Sequence, residues 1–183
     1  DSTRQAELAC QAALEQFALL EAFRATVPDV IGLRRDIPLI DFRIGLATGE
    51  VVVGSVGSDT ARSFTVMGLS LIHISEPTRL GTRLLIDQQT FSLAESAIEA
   101  RWVDEIRVVG RIEPLRIYEL ATMTGGLSSA TREMFDAYEA GLEHYRTADW
   151  NRAEAAFGEA LKIEPNDGPC LTLLARIAEL RRT

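Results

Sequence analysis

The chain has 183 residues, 46% hydrophobic and 25% charged, the proportions of a soluble globular protein with room for one sizeable domain or two small ones. Its 27 acidic residues outnumber 19 basic ones, for a formal net charge of -8, so neither nucleic acid nor an anionic membrane surface would attract it, and both are disfavoured as partners. No apolar run approaches the roughly 20 residues that cross a bilayer, and Cys10 and Cys170 form no CxxC pair, which points to neither a zinc site nor a disulfide framework and fits a reducing cytoplasm. The chain opens on Asp1, directly in helical pattern, so a piece of a longer protein is expected.

From Gln5 to Phe23 the apolar residues Leu8, Ala9, Ala12, Ala13, Phe17, Leu20 and Phe23 recur at three- and four-residue steps, which predicts an amphipathic helix. Pro28 and Pro38 are expected to bracket a loop. Ile40, Phe42, Ile44 and Leu46 then alternate with Asp41, Arg43 and Gly45 in the two-residue period of a half-buried strand. Thr48-Gly49-Glu50 reads as a turn, and Val51 to Val53 as the return strand of an antiparallel hairpin. A glycine-spaced stretch from Gly54 to Asp59 leads to a strand signal at Phe64 to Met67, and Arg83 to Ile86 gives another. Asp87 is placed to cap a helix running to about Ile98. Strands follow over Arg101 to Val109 and Leu115 to Leu120. Hairpin connections outnumber βαβ units, so the expected fold class is α+β, with a mainly antiparallel sheet covered by helices.

Residues 122–131 read as a flexible linker, since Met123 to Thr131 is MTGGLSSAT. Residues 132–183 carry only helical periodicity. This tail resembles one tetratricopeptide unit, with Gly141 and Ala153 at the close crossing of two helices, Tyr145 and Trp150 beside the turn, Phe157, Ala160 and Leu161 in the seam, and Pro165 at the exit. A third helix, from Pro169 to about Arg181, would cap the pair with Cys170, Leu171, Leu174, Ile177 and Leu180. Because about three repeats make a stable solenoid, a lone unit is expected to dock on its neighbour. The resemblance implies a surface for a protein partner; the other reading is a helical appendage that closes the chain.

Three stretches occur in order: Phe42 to Gly57 (FRIGLATGEVVVGSVG), Ser63 to Gly68 (SFTVMG) and Trp102 to Leu120 (WVDEIRVVGRIEPLRIYEL). Together they resemble the second half of the catalytic domain of class III adenylate and guanylate cyclases, covering residues 1–121. The resemblance implies a ferredoxin-like half-domain that forms a homodimer and a parent protein that converts ATP to cyclic AMP and pyrophosphate. Thr65 falls at the family's purine-selecting position, where its hydroxyl can donate to or accept from an adenine edge; taken alone it reads as a strand threonine. Arg111 matches the basic position facing the triphosphate, where a guanidinium can hold two phosphate oxygens; taken alone it reads as a solvated turn arginine. The family's magnesium or manganese ions are held by two aspartates in the first half of its domain, before anything matched in this chain. None of Asp29, Asp36, Asp41 or Asp59 stands in that motif, so no catalytic or metal residue is assigned.

Residues 69–80 depart from the family. Where an asparagine and an arginine are expected four apart on one helix face, to orient the ribose and offset charge on the phosphate, the chain has Ile72 and Glu76, followed by Pro77, which opposes a helix. Leu69 to Arg79 (LSLIHISEPTR) resembles a translated sequencing-library adapter. His73 and Glu76 supply two ligands at best and make no metal site, and His144 is expected to pack or to be exposed. The expectation is a cyclase fragment that is itself inactive. The alternative is a non-catalytic dimerisation and protein-interaction module that uses the helical tail.

Overall fold

The computed structural model describes residues 1–32, 40–58, 61–67, 80–106 and 114–182. Helix α1 spans Ser2–Ile31 behind Asp1, whose side chain accepts from the Thr3 amide at 3.2 Å. Its buried line is Ala6, Cys10, Ala13, Leu20 and Val27, whereas Leu8 and Phe23 of the expected apolar stripe are exposed. Small residues dominate the buried line, so the helix axis comes close to its neighbours there and larger side chains are turned outward. Pro28 lies inside α1 rather than opening a loop. A proline in the last turn forfeits a single backbone bond, and burial of Val27 one residue earlier favours continuing the helix that far.

Strand β1 (Ile44–Leu46) pairs in parallel with β4 (Leu84–Asp87). The expected hairpin between Ile40–Leu46 and Val51–Val53 does not form among the described residues. Strand β2 (Val52–Ser58) instead pairs antiparallel with β3 (Ala61–Met67), from Val52↔Met67 to Ser58↔Ala61. The reason lies in the intervening loop. The Thr48 amide donates to Asp87 at 3.3 Å and the Thr48 and Thr90 hydroxyls meet at 2.8 Å, so the chain leaving β1 is tied to the neighbouring strand end and cannot fold back along β1.

Asp87 caps α2 (Gln88–Ala94) as expected, accepting from the Thr90 amide at 2.8 Å. The helix stops four residues before Ile98, because Ile98 is buried as the first residue of β5 (Ile98–Ile106) and pairs with Met123. Strand β6 (Leu115–Met123) completes a four-stranded sheet of order β1-β4-β6-β5, with β4–β6 and β5–β6 antiparallel.

Both sheet faces are covered. Leu84, Ile86, Tyr118 and Leu120 face Ala6, Cys10 and Ala13 of α1 and Ala94 of α2. Leu85, Ile117 and Val103 face the other way, into a core with Met134, Phe135, Tyr138 and Leu142 of α3 (Ser129–Arg146), Ala153, Phe157 and Ala160 of α4 (Trp150–Ile163), and Cys170, Leu173 and Ile177 of α5 (Gly168–Leu180). The period-2 alternation of β4 thus serves two cores, which is why all four of its residues are buried. The result is helices, sheet, helices in three layers. Among the described residues no helix is long and apolar enough to cross a membrane.

The 122–131 segment holds the end of β6 and the start of α3, leaving Thr124 to Ser128 as the connection. Ser128 caps α3, accepting from the Thr131 amide at 3.0 Å. The seam of α3 and α4 follows the expected register: Tyr145 and Trp150 rings lie 5.5 Å apart, and Ala153, Phe157 and Ala160 are buried. In α5, however, Leu171 and Leu180 are exposed, and Leu173 takes the buried place beside Cys170. The three-residue step from Cys170 to Leu173 follows the sheet-side core, which reaches α5 from a direction that an isolated helical pair would not predict.

A Cβ added at Gly141 would lie 2.6 Å from the Phe157 ring. Gly141→Ala is therefore expected to lower stability by about 1–3 kcal/mol through overpacking, read as a lower urea midpoint. The two thiols sit in different cores. Burial pushes Cys10 up to about 11 and, with the Asp167 side chain adding to it, pushes Cys170 higher still, so thiolate is scarce at neutral pH. Both thiols are expected to resist a thiol-reactive dye in the folded protein and to react at once in denaturant. Fast labelling of Cys170 alone would show that α5 leaves the sheet.

Candidate functional site

Thr65 lies in the middle of β3, opposite Gly54. The β2–β3 hairpin around it is separate from the four-stranded sheet and carries exposed apolar side chains: Phe64 is 73% exposed and Val52 68%. Arg111 lies outside the described residues, as do Ile72, His73, Glu76 and Pro77, so the two expected substrate contacts are not brought together among the described residues. His144 is half-buried near the end of α3. Among the described residues no group of three or more His, Cys, Asp and Glu could hold a metal ion.

The dense polar cluster of the structure is elsewhere, between sheet and tail. Arg101 of β5 is 1% exposed. Its guanidinium donates to Glu119 of β6 through Nε at 2.8 Å and Nη2 at 2.5 Å, and Nη2 also donates to Asp167. Nη1 meets the Met134 sulfur at 3.2 Å, and the cation lies over the Tyr138 ring at 4.5 Å and the Phe135 ring at 4.9 Å. Asp167 in turn caps α5, accepting from the Cys170 amide at 2.9 Å. Burial opposes the Arg101 charge, but Glu119 and Asp167 outweigh it and hold the guanidinium above its usual range. Burial pushes the Glu119 carboxyl up, and Arg101 offsets this in part. The arrangement is a buried tie between the sheet and the tail.

Further along β5, Trp102 lies between two guanidinium groups, Arg116 at 4.6 Å and Arg146 at 4.8 Å. Both cations bind Glu105, Arg116 at 3.1 Å and Arg146 at 2.7 Å, and Arg176 of α5 binds Asp104 at 2.7 Å. Arg132 reaches Glu99 at 3.0 Å. None of these pairings was legible as a site in the sequence. The available signal was the alternation of β5, which turns the charged Arg101 toward the same side as Val103.

Arg101→Met is expected to lower stability by about 3–5 kcal/mol, because it strands buried carboxylates rather than because the pair itself is strong. Combining it with Asp167→Asn, which keeps an α5 cap, is expected to cost less than the sum of the two single changes in denaturant titrations. Hydrogen bonding to Arg146 holds the Glu105 carboxyl below the usual range against opposing burial, with Arg116 contributing. A carboxyl lowered in the folded state stabilises above its unfolded value, near 4.5, and that contribution disappears as pH falls through the folded value. Glu105→Gln is therefore expected to lose less stability than the unmodified chain between pH 6 and pH 3, as read by thermal melts.

No family model matches the chain. Over 152 residues, 79% of the chain, it is 25% identical to the terminal-differentiation specific adenylate cyclase of Dictyostelium discoideum, covering 7% of that protein. Over 122 residues, 64% of the chain, it is 30% identical to adenylate cyclase 1 of Rhizobium meliloti, covering 18% of that protein. Among solved structures, the adenylyl cyclase CyaB from P. aeruginosa matches with a TM-score of 0.53 at 24% identity over 70% of this chain and 64% of that one. The guanylyl cyclase Cya2 matches with a TM-score of 0.50 at 22% identity over 67% of this chain and 61% of that one. The chain spans less than a fifth of the two curated relatives. The chain thus shares the α+β fold of these two cyclases and is similar in sequence to the two adenylate cyclases.

Proposed function

We propose that the chain is part of a class III adenylate cyclase whose intact form converts ATP to cyclic AMP and pyrophosphate, and that this chain alone does not catalyse the reaction. The observation that carries the reading is the α+β fold shared with both an adenylyl and a guanylyl cyclase. In the proposed reaction the ribose 3′-hydroxyl gives up its proton to water, its oxygen attacks the α-phosphorus, the bond from that phosphorus to the bridging oxygen breaks, and pyrophosphate leaves. Thr65 reads the adenine edge through its hydroxyl and Arg111 holds phosphate oxygens through its guanidinium. Magnesium or manganese would offset charge on the attacking and leaving oxygens, but the described residues offer no donor cluster for them. A homodimer is in keeping with the exposed Val52, Val53 and Phe64 of the β2–β3 hairpin, a surface that association would cover.

Inactivity of the chain alone rests on its own residues, since Ile72 and Glu76 stand where the asparagine and arginine of the family motif would be. Loss of one such charge-stabilising donor costs about 3–4 kcal/mol of transition-state stabilisation. The adapter resemblance of Leu69 to Arg79 accounts for that departure. The second reading, a dimerising interaction module, keeps the tetratricopeptide-like tail as its partner surface. Because α3 packs on the sheet, a partner would use the outward faces of α4 and α5, where Ile163 and Leu171 are exposed.

The purified chain is expected to form no cyclic nucleotide from ATP or GTP with magnesium or manganese. Replacing residues 69–80 with a family-type segment and supplying a first-half cyclase chain carrying the metal aspartates is expected to restore cyclic AMP synthesis. Thr65→Ala should then reduce the preference for ATP over GTP. Product formed by the unmodified chain, and lost in Arg111→Ala, would overturn the assignment of inactivity.

A further inference from the structure

The contacts at the far end of β5 have a pattern that packing alone does not require. The pairing of β5 with β6 runs Trp102↔Tyr118 and then Asp104↔Ile117, so Val103 is an extra residue, a bulge. A bulge leaves a residue outside the ladder and re-aims the side chains that follow it. Here the tail meets each residue of the irregularity in turn. The buried Tyr138 hydroxyl of α3 donates to the Val103 carbonyl at 2.7 Å, Arg176 of α5 binds Asp104 at 2.7 Å, and Arg146 of α3 binds Glu105 at 2.7 Å while covering Trp102. The Trp102 indole closes the irregularity by donating to the Asp104 carbonyl at 3.0 Å. Among the described residues β5 is an edge strand of the sheet, so only β6 pairs with this end.

The seating of the tail is equally specific at a second point. Gly81, with φ of +69°, and Gly168 at the start of α5 touch backbone to backbone, and a Cβ on Gly168 would fall within van der Waals exclusion of the Gly81 carbonyl. The tail therefore rests in one position against the sheet, and that position is the one that places Tyr138, Arg146 and Arg176 on the bulge.

We propose that the helical tail is a conformational clamp on the end of β5: docking of α3 and α5 holds the Val103 bulge and the acidic pair that follows it, and release of the tail frees that end while the rest of the sheet persists. The proposal does not depend on the cyclase reading.

The test is amide hydrogen exchange on the full chain without nucleotide, with Cys170 labelling as the measure of docking. Tyr138→Phe removes only the hydroxyl, and Gly168→Ala presses a methyl group into the Gly81 backbone. In Tyr138→Phe, exchange at Val103 to Ile106 is expected to quicken about tenfold or more, with Leu85 and Ile86 of β4 changing far less. In Gly168→Ala the same selective change should accompany faster Cys170 labelling. Equal acceleration of β4 and β5 would show the tail to be an undifferentiated part of one cooperative unit and would overturn the proposal. So would an exposed Cys170 with unchanged exchange in β5, or unchanged Cys170 labelling in Gly168→Ala. Because no nucleotide is used, each outcome is independent of whether the chain takes part in cyclic AMP synthesis.

Discussion

A buried cation ties together two strands of the sheet and the helical tail. Arg101 comes from β5, Glu119 from β6 and Asp167 from the cap of α5, so pairing of two strands, docking of the tail and the start of its last helix all meet at one guanidinium. Placing such a group out of water is expensive, and its worth lies less in net stability than in the cost of every arrangement that leaves it unpaired. A tail shifted by one helical turn would leave Asp167 without Arg101. The apolar residues around it, such as Leu85, Val103 and Leu173, supply most of the favourable free energy of burial but would accept many registers.

The sheet lies between the two helical layers, and its two faces are packed differently. The α1 side is built on small residues, Ala6, Cys10 and Ala13, against Ile86 and Tyr118, whereas the tail side is built on rings and branched chains, with Tyr138 and Phe157 at 5.5 Å. One face therefore permits close approach of a long helix and the other fills a wider gap with bulk. Phe91 stacked on Tyr118 at 4.1 Å and Phe17 on Phe42 at 4.8 Å extend the first layer toward its rim.

The α+β class was readable because periods of two and of about 3.6 residues are local properties, and so was the Asp87 cap, whose partner is three residues away. The helices of the tail were readable for the same reason, whereas the places of Gly141, Tyr145, Trp150 and Phe157 were expected only from the resemblance to a tetratricopeptide unit. What could not be read depends on distant pairings. Whether Val52 and Val53 pair with β1 or with β3 is decided by Thr48 bonding Asp87, 39 residues on; the buried face of α5 is decided by a sheet met only after folding. Arg101 resembles any strand arginine until Asp167, 66 residues later, is beside it. Thr65 lies on the strand that the signal at Phe64 to Met67 predicted, while Arg111 falls outside the described residues.

The parallel pairing of Ile44 with Leu84 bears on how much variety the chain can absorb between them. Bringing those two positions together closes a long loop, and for long flexible loops the entropic cost grows only logarithmically, by about 0.6 kcal/mol for each doubling of length. The register of the central sheet is thus nearly indifferent to the number and kind of residues that follow β3, whatever their origin. A change of length or composition there costs the closing of the sheet very little.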